Sequence, residues 1–281
     1  MKTWFLSFVR ELLSERRFRE STKGVDGWRT VVDFRGCKFF AGSDNKIEIS
    51  IAKGDREYDR DNFLALDLLV NRGDICFDVG ANIGVYSVKM AALTGSPENI
   101  HSFEPVEHIR NRFARNAKLN SFRKININDF ALGANSRVEN MYQVKKSHVR
   151  GGTSTFVENE NIGSLGSESF DVREVAIQTM DSYVEERSLP GIDFIKIDVE
   201  GFEWEVLQGG VNVISRFKPI ILMEFDKTRH ERLETTSKFR EMLNKNQYEV
   251  YEFSTFSNKL VLFPFDFTSQ PRNRNILCIA G

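Results

Sequence analysis

The sequence predicts an α/β protein: a mostly parallel, doubly wound sheet with an antiparallel last strand and a short N-terminal extension. Three observations carry this. From Asp74 onward, apolar runs of strand length alternate with stretches of helical length, as expected where helices cover both faces of a sheet. The run IDFIKIDVEG (192–201) is apolar enough for an interior strand, yet it ends in two carboxylates and a glycine. The last two strand-like runs have no helix between them, so they read as an antiparallel pair.

Taken in order, residues 1–56 form the extension, an amphipathic start followed by short β-like runs such as WRTVVDF and KIEISIAK. Residues 57–281 form the main domain. ICFDVG (75–80) is its first strand, with a helix from about Gly84; IHSFEP (100–105) is the second, with a helix to about Asn120; KININDFALG (124–133) is the third. A polar interval follows, and the region near 134–178 reads as strands and a loop inserted into the domain, ending in the strand VREVAIQ. A short helix over Thr179 to Arg187 leads to IDFIKIDV, then a helix beginning in FEWEVLQGG, the strand PIILMEF (219–225) and a helix over 230–246. YEVYEFS and RNILCIAG close the chain as strands.

Composition narrows the function. With 281 residues, 41% hydrophobic and 28% charged, the chain is an ordinary globular protein, with an aromatic-rich core suggested by 24 phenylalanines. A net charge of −1 gives no global field for nucleic acid or anionic membrane. Cys37, Cys76 and Cys278 are an odd, widely spaced set, which argues against a disulfide framework or zinc knuckle and for a reducing, cytoplasmic setting. Trp4, Phe5, Phe8, Leu12 and Leu13 share one helical face, a surface for packing on the body or on a second subunit. Membrane-surface contact through residues 4–13 is the lesser reading, since the apolar stretch is broken by Arg10 and Glu11 and is too short for a span.

The turn DVGANIG (78–84) joins the first regular strand to its helix. Gly80 permits a sharp turn with close backbone approach, Gly84 lets the helix start near the sheet, and Asn82 satisfies free amides at its start. Glu104 follows Gly80 by 24 residues, at the end of the second strand, where a carboxylate can accept both ribose hydroxyls. The turn lacks the middle glycine of the dinucleotide pattern G-x-G-x-x-G. Asp78 would repel a pyrophosphate but suits the ammonium of a methionine moiety, so the chemistry leans towards S-adenosylmethionine. An NAD-dependent Rossmann oxidoreductase and a non-catalytic nucleoside-binding or scaffold protein are the alternatives.

DVGANIG, FEP with Glu104, FALG (130–133), KIDVEGFEWEVLQGG (196–210) and ILMEF (221–225) together resemble the FkbM-type methyltransferases. GGTST (151–155), IQTMDSY (177–183) and NILCI extend the resemblance over roughly residues 57–280, and KIDVEG is its most specific element. The resemblance implies a Rossmann-like methyltransferase fold, S-adenosylmethionine as cofactor, and methylation of a hydroxyl on a sugar, glycan or small metabolite. By it, Asp78, Gly80, Asn82 and Gly84 hold the methionine part, Glu104 holds the ribose, and Asp129 to Ala131 border the adenine. Met180 stands where the family commonly has Leu, a volume-conserving exchange.

In KIDVEG, period-2 alternation puts Phe194, Lys196 and Asp198 on one side of the strand. A purely structural account pairs Lys196 with Asp198 and lets Asp198 or Glu200 cap the helix starting near Phe202. The functional account makes Asp198 the base or positioning group for an acceptor hydroxyl, Glu200 the second choice, and Lys196 the electrostatic partner. His230 is an alternative base. Asp198, Glu200 and Glu224 supply oxygen ligands of the kind a divalent cation takes, but a metal is not the favoured reading. The acceptor is read as a small molecule or carbohydrate rather than nucleic acid, with self-association open. Residues 150–155 are read either as a lid over the acceptor or as a solvated loop.

Overall fold

The structure is a computed structural model that describes residues 30–41, 46–55, 57–144, 154–155, 170–226, 234–257, 259–267 and 273–281. Its centre is an eight-stranded sheet. Five strands run parallel: β5 (Asn126–Asn128), β4 (Ile100–Phe103), β3 (Cys76–Val79), β10 (Phe194–Ile197) and β11 (Ile220–Asp226), in that spatial order. β3, β4 and β10 are buried at every position, as expected of strands covered on both faces. The chain builds outward from β3 through β4 to β5, then returns to add β10 on the other side of β3. The order therefore reverses between β3 and β10. Open sheets of this kind bind ligands outside the carboxyl ends of the strands at such a switch point.

The closing strand β14 (Asn273–Ala280) is antiparallel, but it lies between β11 and β12 (Tyr248–Phe256) rather than at the edge. The expected antiparallel pairing of the last two runs is present as β12–β14. The edge is taken by β13 (Lys259–Pro264), a strand the sequence reading did not assign.

Six helices alternate with these strands. α3 (Val85–Thr94) follows β3, α4 (Glu107–Leu119) follows β4, and α5 (Met180–Glu186) precedes β10. After β10 come α6 (Glu203–Gln208) and α7 (Val211–Phe217), and α8 (Thr236–Lys245) precedes β12. Thr179 caps α5, its hydroxyl accepting from the Ser182 amide at 3.0 Å.

The run expected as one strand over 124–133 divides. β5 belongs to the main sheet, while β6 (Ala131–Leu132) joins a second sheet with β9 (Phe170–Gln178), β7 (Arg137–Val144) and β8 (Ser154–Thr155), in the order β6-β9-β7-β8. β7, β8 and β9 fall within the stretch near 134–178. A Cβ on Gly209 would lie 2.0 Å from the Gly133 carbonyl oxygen, and one on Gly210 2.8 Å from the Met180 sulfur. Gly209 thus packs backbone to backbone on Gly133, while Gly210 makes room for the Met180 side chain.

In the extension, β1 (Thr30–Phe34) and β2 (Cys37–Ala41) form a hairpin whose turn residues Arg35 and Gly36 both have positive φ. KIEISIAK is not β-like: residues 46–53 form helix α1. Its alternating isoleucines fit strand period, but Ile47 and Ile51 are also one helical turn apart, and Ile51 is fully buried. Glu48 reaches Arg112 of α4 at 2.9 Å in a buried ion pair. Asn116 accepts from the Phe40 amide at 3.0 Å, and Asn120 bonds both the amide and carbonyl of Lys38. The extension is bound to α4 by these contacts. The amphipathic stretch 4–13 and His230 lie outside the described residues. Among the described residues no helix is long and apolar enough to cross a membrane.

Candidate active site

Two adjacent parallel strands, β3 and β10, bring DVG and KIDVEG side by side, with Lys196 the register partner of Asp78. At the end of β3 the Gly80 and Ala81 amides both donate to the Phe103 carbonyl at 3.1 Å. Gly80 has φ +80, and a Cβ there would lie 1.9 Å from the Asp198 carbonyl oxygen. Only glycine fits. Gly84, at φ +81, is equally confined, since a Cβ would enter the Phe113 ring. Asn82 takes φ +49, and its side-chain oxygen accepts from the Ile83 amide at 2.8 Å; the N-cap of α3 is Gly84, so Asn82 does not serve the helix's own amides as the sequence suggested.

Glu104 stands directly after β4 and is nearly buried. One carboxylate oxygen accepts from the Asn82 amide at 3.0 Å and the other from the Val106 amide at 2.9 Å. Burial pushes its carboxyl up to about 7 against these two amides and Arg110. Each oxygen carries two lone pairs, so each keeps one acceptor site beyond its amide bond.

Asp78 is fully buried. Its Oδ2 accepts from the Ser87 hydroxyl, which also bonds Ser102 Oγ at 2.8 Å. Its Oδ1 has no hydrogen bond and lies 3.8 Å from Lys196 Nζ. Burial raises the Asp78 carboxyl, opposed by Lys196 and Ser87.

Lys196 is the hub. Its ammonium lies 3.2 Å from Asp198 Oδ2, 3.8 Å from Asp78 Oδ1 and 4.7 Å from the centroid of the Tyr86 ring, a cation–π contact. Burial alone would drive the ammonium down, but Asp198 and Asp78 more than offset it and hold Lys196 above its ordinary value. The Asp198 side chain is 43% exposed, so one partner of the ion pair opens onto the cleft.

The loop after β10 does not use Asp198 or Glu200 as a helix cap. Phe202 occupies the N-cap of α6 with no side-chain cap bond. The buried Glu203 turns back instead, accepting from the Val199 amide at 3.3 Å and the Gly201 amide at 3.0 Å. That bracing holds Glu200 at φ +54 and Gly201 at φ +105. Asp129 is exposed just beyond β5, and Ala131 is buried in β6 of the second sheet, paired with Ile177.

Sequence reading missed three residues beside Lys196. Asp59 precedes α2 (Arg60–Leu69) with φ +48, and its Oδ2 accepts from the Tyr86 hydroxyl at 3.0 Å. Asn62 donates to the same hydroxyl at 3.1 Å. The only available signal was YDRDN, polar residues just ahead of an amphipathic run.

The residues fit a nucleoside cofactor bearing a cationic amino-acid tail: a carboxylate with spare acceptor sites at β4, a glycine turn at β3, and a buried Asp78 oxygen lacking a hydrogen bond. Among the described residues no group of three or more His, Cys, Asp or Glu side chains is placed to hold a metal ion.

A glycine turn and an acidic strand end thus meet where the strand order reverses between β3 and β10, the place where open α/β sheets bind ligands. The chain belongs to the FkbM methyltransferase family, since the model of the methyltransferase FkbM domain matches residues 78–250. Similar solved structures include the methyltransferase FkbM from Methylobacillus flagellatus, with TM-score 0.47 and 16% identity, covering 83% of this chain. This chain spans only about half of that protein (52%). An O-methyltransferase from Bacillus cereus in complex with SAH has TM-score 0.43 and 11% identity over 78% of each chain. A SAM-dependent O-methyltransferase from Thermotoga maritima has TM-score 0.38 and 14% identity, over 78% of this chain and 63% of its own. A search of curated proteins found no match.

Proposed function

We propose that the protein is an S-adenosylmethionine-dependent O-methyltransferase acting on a hydroxyl of a sugar, glycan or small metabolite. The observation that carries this reading is the Lys196–Asp198 pair at the end of β10, at 3.2 Å, with the Asp198 carboxylate open to the switch-point cleft. When bound, S-adenosylmethionine supplies a methyl group on a sulfonium. Gly80, Asn82 and Gly84 shape the turn that takes its methionine part, and Glu104 accepts the ribose hydroxyls with its two remaining acceptor sites. Asp129 and Ala131 border the adenine.

An alcohol is a poor nucleophile until its proton is taken. Asp198 accepts that proton as the oxygen gains the methyl group, and Lys196 fixes the orientation of the Asp198 carboxylate. Asp78, below, anchors Lys196 from the other side. Glu200, held left-handed beside Asp198, orients the acceptor. Positioning of this kind together with proton transfer typically contributes about 10²–10⁴-fold. We place the protein in a reducing compartment, the cytoplasm, in keeping with three buried cysteines that are all unpaired.

The test is a calorimetric titration with S-adenosylhomocysteine, run beside Glu104→Ala and Asp198→Ala. Binding in about the micromolar range, lost in Glu104→Ala and mostly kept in Asp198→Ala, supports the assignments. No binding by the wild type overturns the reading.

A further inference from the structure

Among the described residues, carboxylates gather around the Lys196 ammonium at the ends of β3 and β10. Asp78 and Asp198 face Lys196 at 3.8 and 3.2 Å. Asp59 adds a third carboxylate through Tyr86, whose hydroxyl it accepts at 3.0 Å and whose ring face carries Lys196 Nζ at 4.7 Å. Arg35 is the second nearby cation, but its guanidinium donates to the Tyr58 carbonyl at 3.1 Å and lies over the Phe63 ring at 4.8 Å. The Asp67 and Asp59 carboxylates favour its charge against burial. Among the described residues, Asp59, Asp78 and Asp198 thus gather around Lys196, and the Asp78 Oδ1 atom is buried without a hydrogen bond.

Asp59 comes from chain ahead of the family-matched residues 78–250. Its φ of +48 is a left-handed conformation that is uncommon for a side-chain-bearing residue, although aspartate is among those that tolerate it. The chain accepts that conformation and places the carboxylate against Tyr86. Burial raises the Asp59 and Asp78 carboxyls, and Lys196 opposes both shifts.

We propose that Asp59 completes an anionic floor, with Asp78 and Asp198 around Lys196, that selects the sulfonium form of the cofactor over its neutral thioether product. This rests on the methyltransferase reading above. In the transfer the acceptor oxygen–carbon bond forms, the sulfur–methyl bond breaks, the sulfonium charge disappears and the hydroxyl proton passes to Asp198. The product has then lost the charge that the floor attracts. Product exchange for fresh cofactor is favoured by the same residues that hold the cofactor.

The experiment titrates S-adenosylmethionine, S-adenosylhomocysteine and sinefungin, which carries a protonated amine in place of the sulfonium, into wild type, Asp59→Asn and Asp59→Glu. Asparagine keeps an acceptor for Tyr86 and tolerates left-handed backbone, so the variant removes charge with little change of shape. Thermal unfolding checks its fold. Wild type is expected to bind the two cationic ligands about tenfold tighter than the thioether, the ratio that about 1.4 kcal/mol gives. In Asp59→Asn the ratio falls towards one through loss of cationic-ligand affinity, and Asp59→Glu restores most of it. In wild type the ratio also narrows as salt is raised, a readout that needs no variant. Equal wild-type affinities, or a ratio unchanged in Asp59→Asn, overturn the inference while leaving the methyltransferase reading standing. Absence of binding by all three ligands overturns both.

Discussion

Gly80 and Asp198 meet backbone to backbone, so closely that a Cβ on Gly80 would lie 1.9 Å from the Asp198 carbonyl oxygen. The contact joins the turn assigned to the cofactor with the strand end assigned to the acceptor. Gly80→Ala would both strain the φ of +80 and push the two loops apart. The expected cost is about 3 kcal/mol or more, with loss of S-adenosylhomocysteine binding in whatever fraction still folds. Urea unfolding followed by calorimetry measures both. A variant of wild-type stability and affinity would show that the loops separate freely.

Glu104 should make cofactor binding depend on pH. Its carboxyl is pushed up to about 7, and only the ionised form offers all its lone pairs to the ribose. Affinity for S-adenosylhomocysteine should therefore weaken as pH falls, about tenfold between pH 8 and pH 6. Stability of the free protein moves the other way. The folded value lies above the ordinary 4.5, so between these two values the folded state binds more protons than the unfolded. This contribution is greatest below pH 4.5 and declines through pH 7, by roughly 3 kcal/mol in all. Glu104→Gln should flatten both profiles.

The strand ends were legible in sequence because their chemistry is local: DVG, FEP and KIDVEG each place a carboxylate or glycine where a buried run stops. Asp59 was not, because its partner Tyr86 lies 27 residues away and only the fold brings them together. The same holds for α1. K-I-E-I-S-I-A-K satisfies both period 2 and the i, i+4 spacing of a helix, and the decision falls to Glu48 meeting Arg112, 64 residues on. Strand β13 escaped because it is exposed along nearly all its length, with no buried face to leave a periodic trace.

That Glu48–Arg112 pair should anchor the N-terminal segment to the methyltransferase core. The two side chains are 1% and 10% exposed, and removing one charge from so dry a pair is costly. Arg112→Met is expected to destabilise by about 3 kcal/mol. The double variant Glu48→Leu, Arg112→Met should recover most of that loss, because a buried pair is often replaceable by apolar side chains of similar volume. Chemical unfolding of the four proteins in the cycle measures the coupling. Additive losses would mean that the pair contributes no mutual stabilisation.

Glu203 is expected to govern the loop that presents Asp198 without touching the cofactor. Its Oε1 takes the amides of Val199 and Gly201, which bracket the left-handed Glu200. Glu203→Gln keeps an acceptor in place and should cost under about 1 kcal/mol. Glu203→Leu strands two buried amides and should cost about 2–3 kcal/mol, with the loop released locally before the sheet unfolds. Amide hydrogen exchange at Val199 and Gly201 should accelerate in the leucine variant and stay near wild type in the glutamine variant. The strand amides of β10 should remain protected in both. S-adenosylhomocysteine affinity should change little, because the glycine turn and Glu104 belong to β3 and β4. Fast exchange spreading equally through β10 would show instead that Glu203 supports the whole sheet, and the loop would lose its standing as a separate unit.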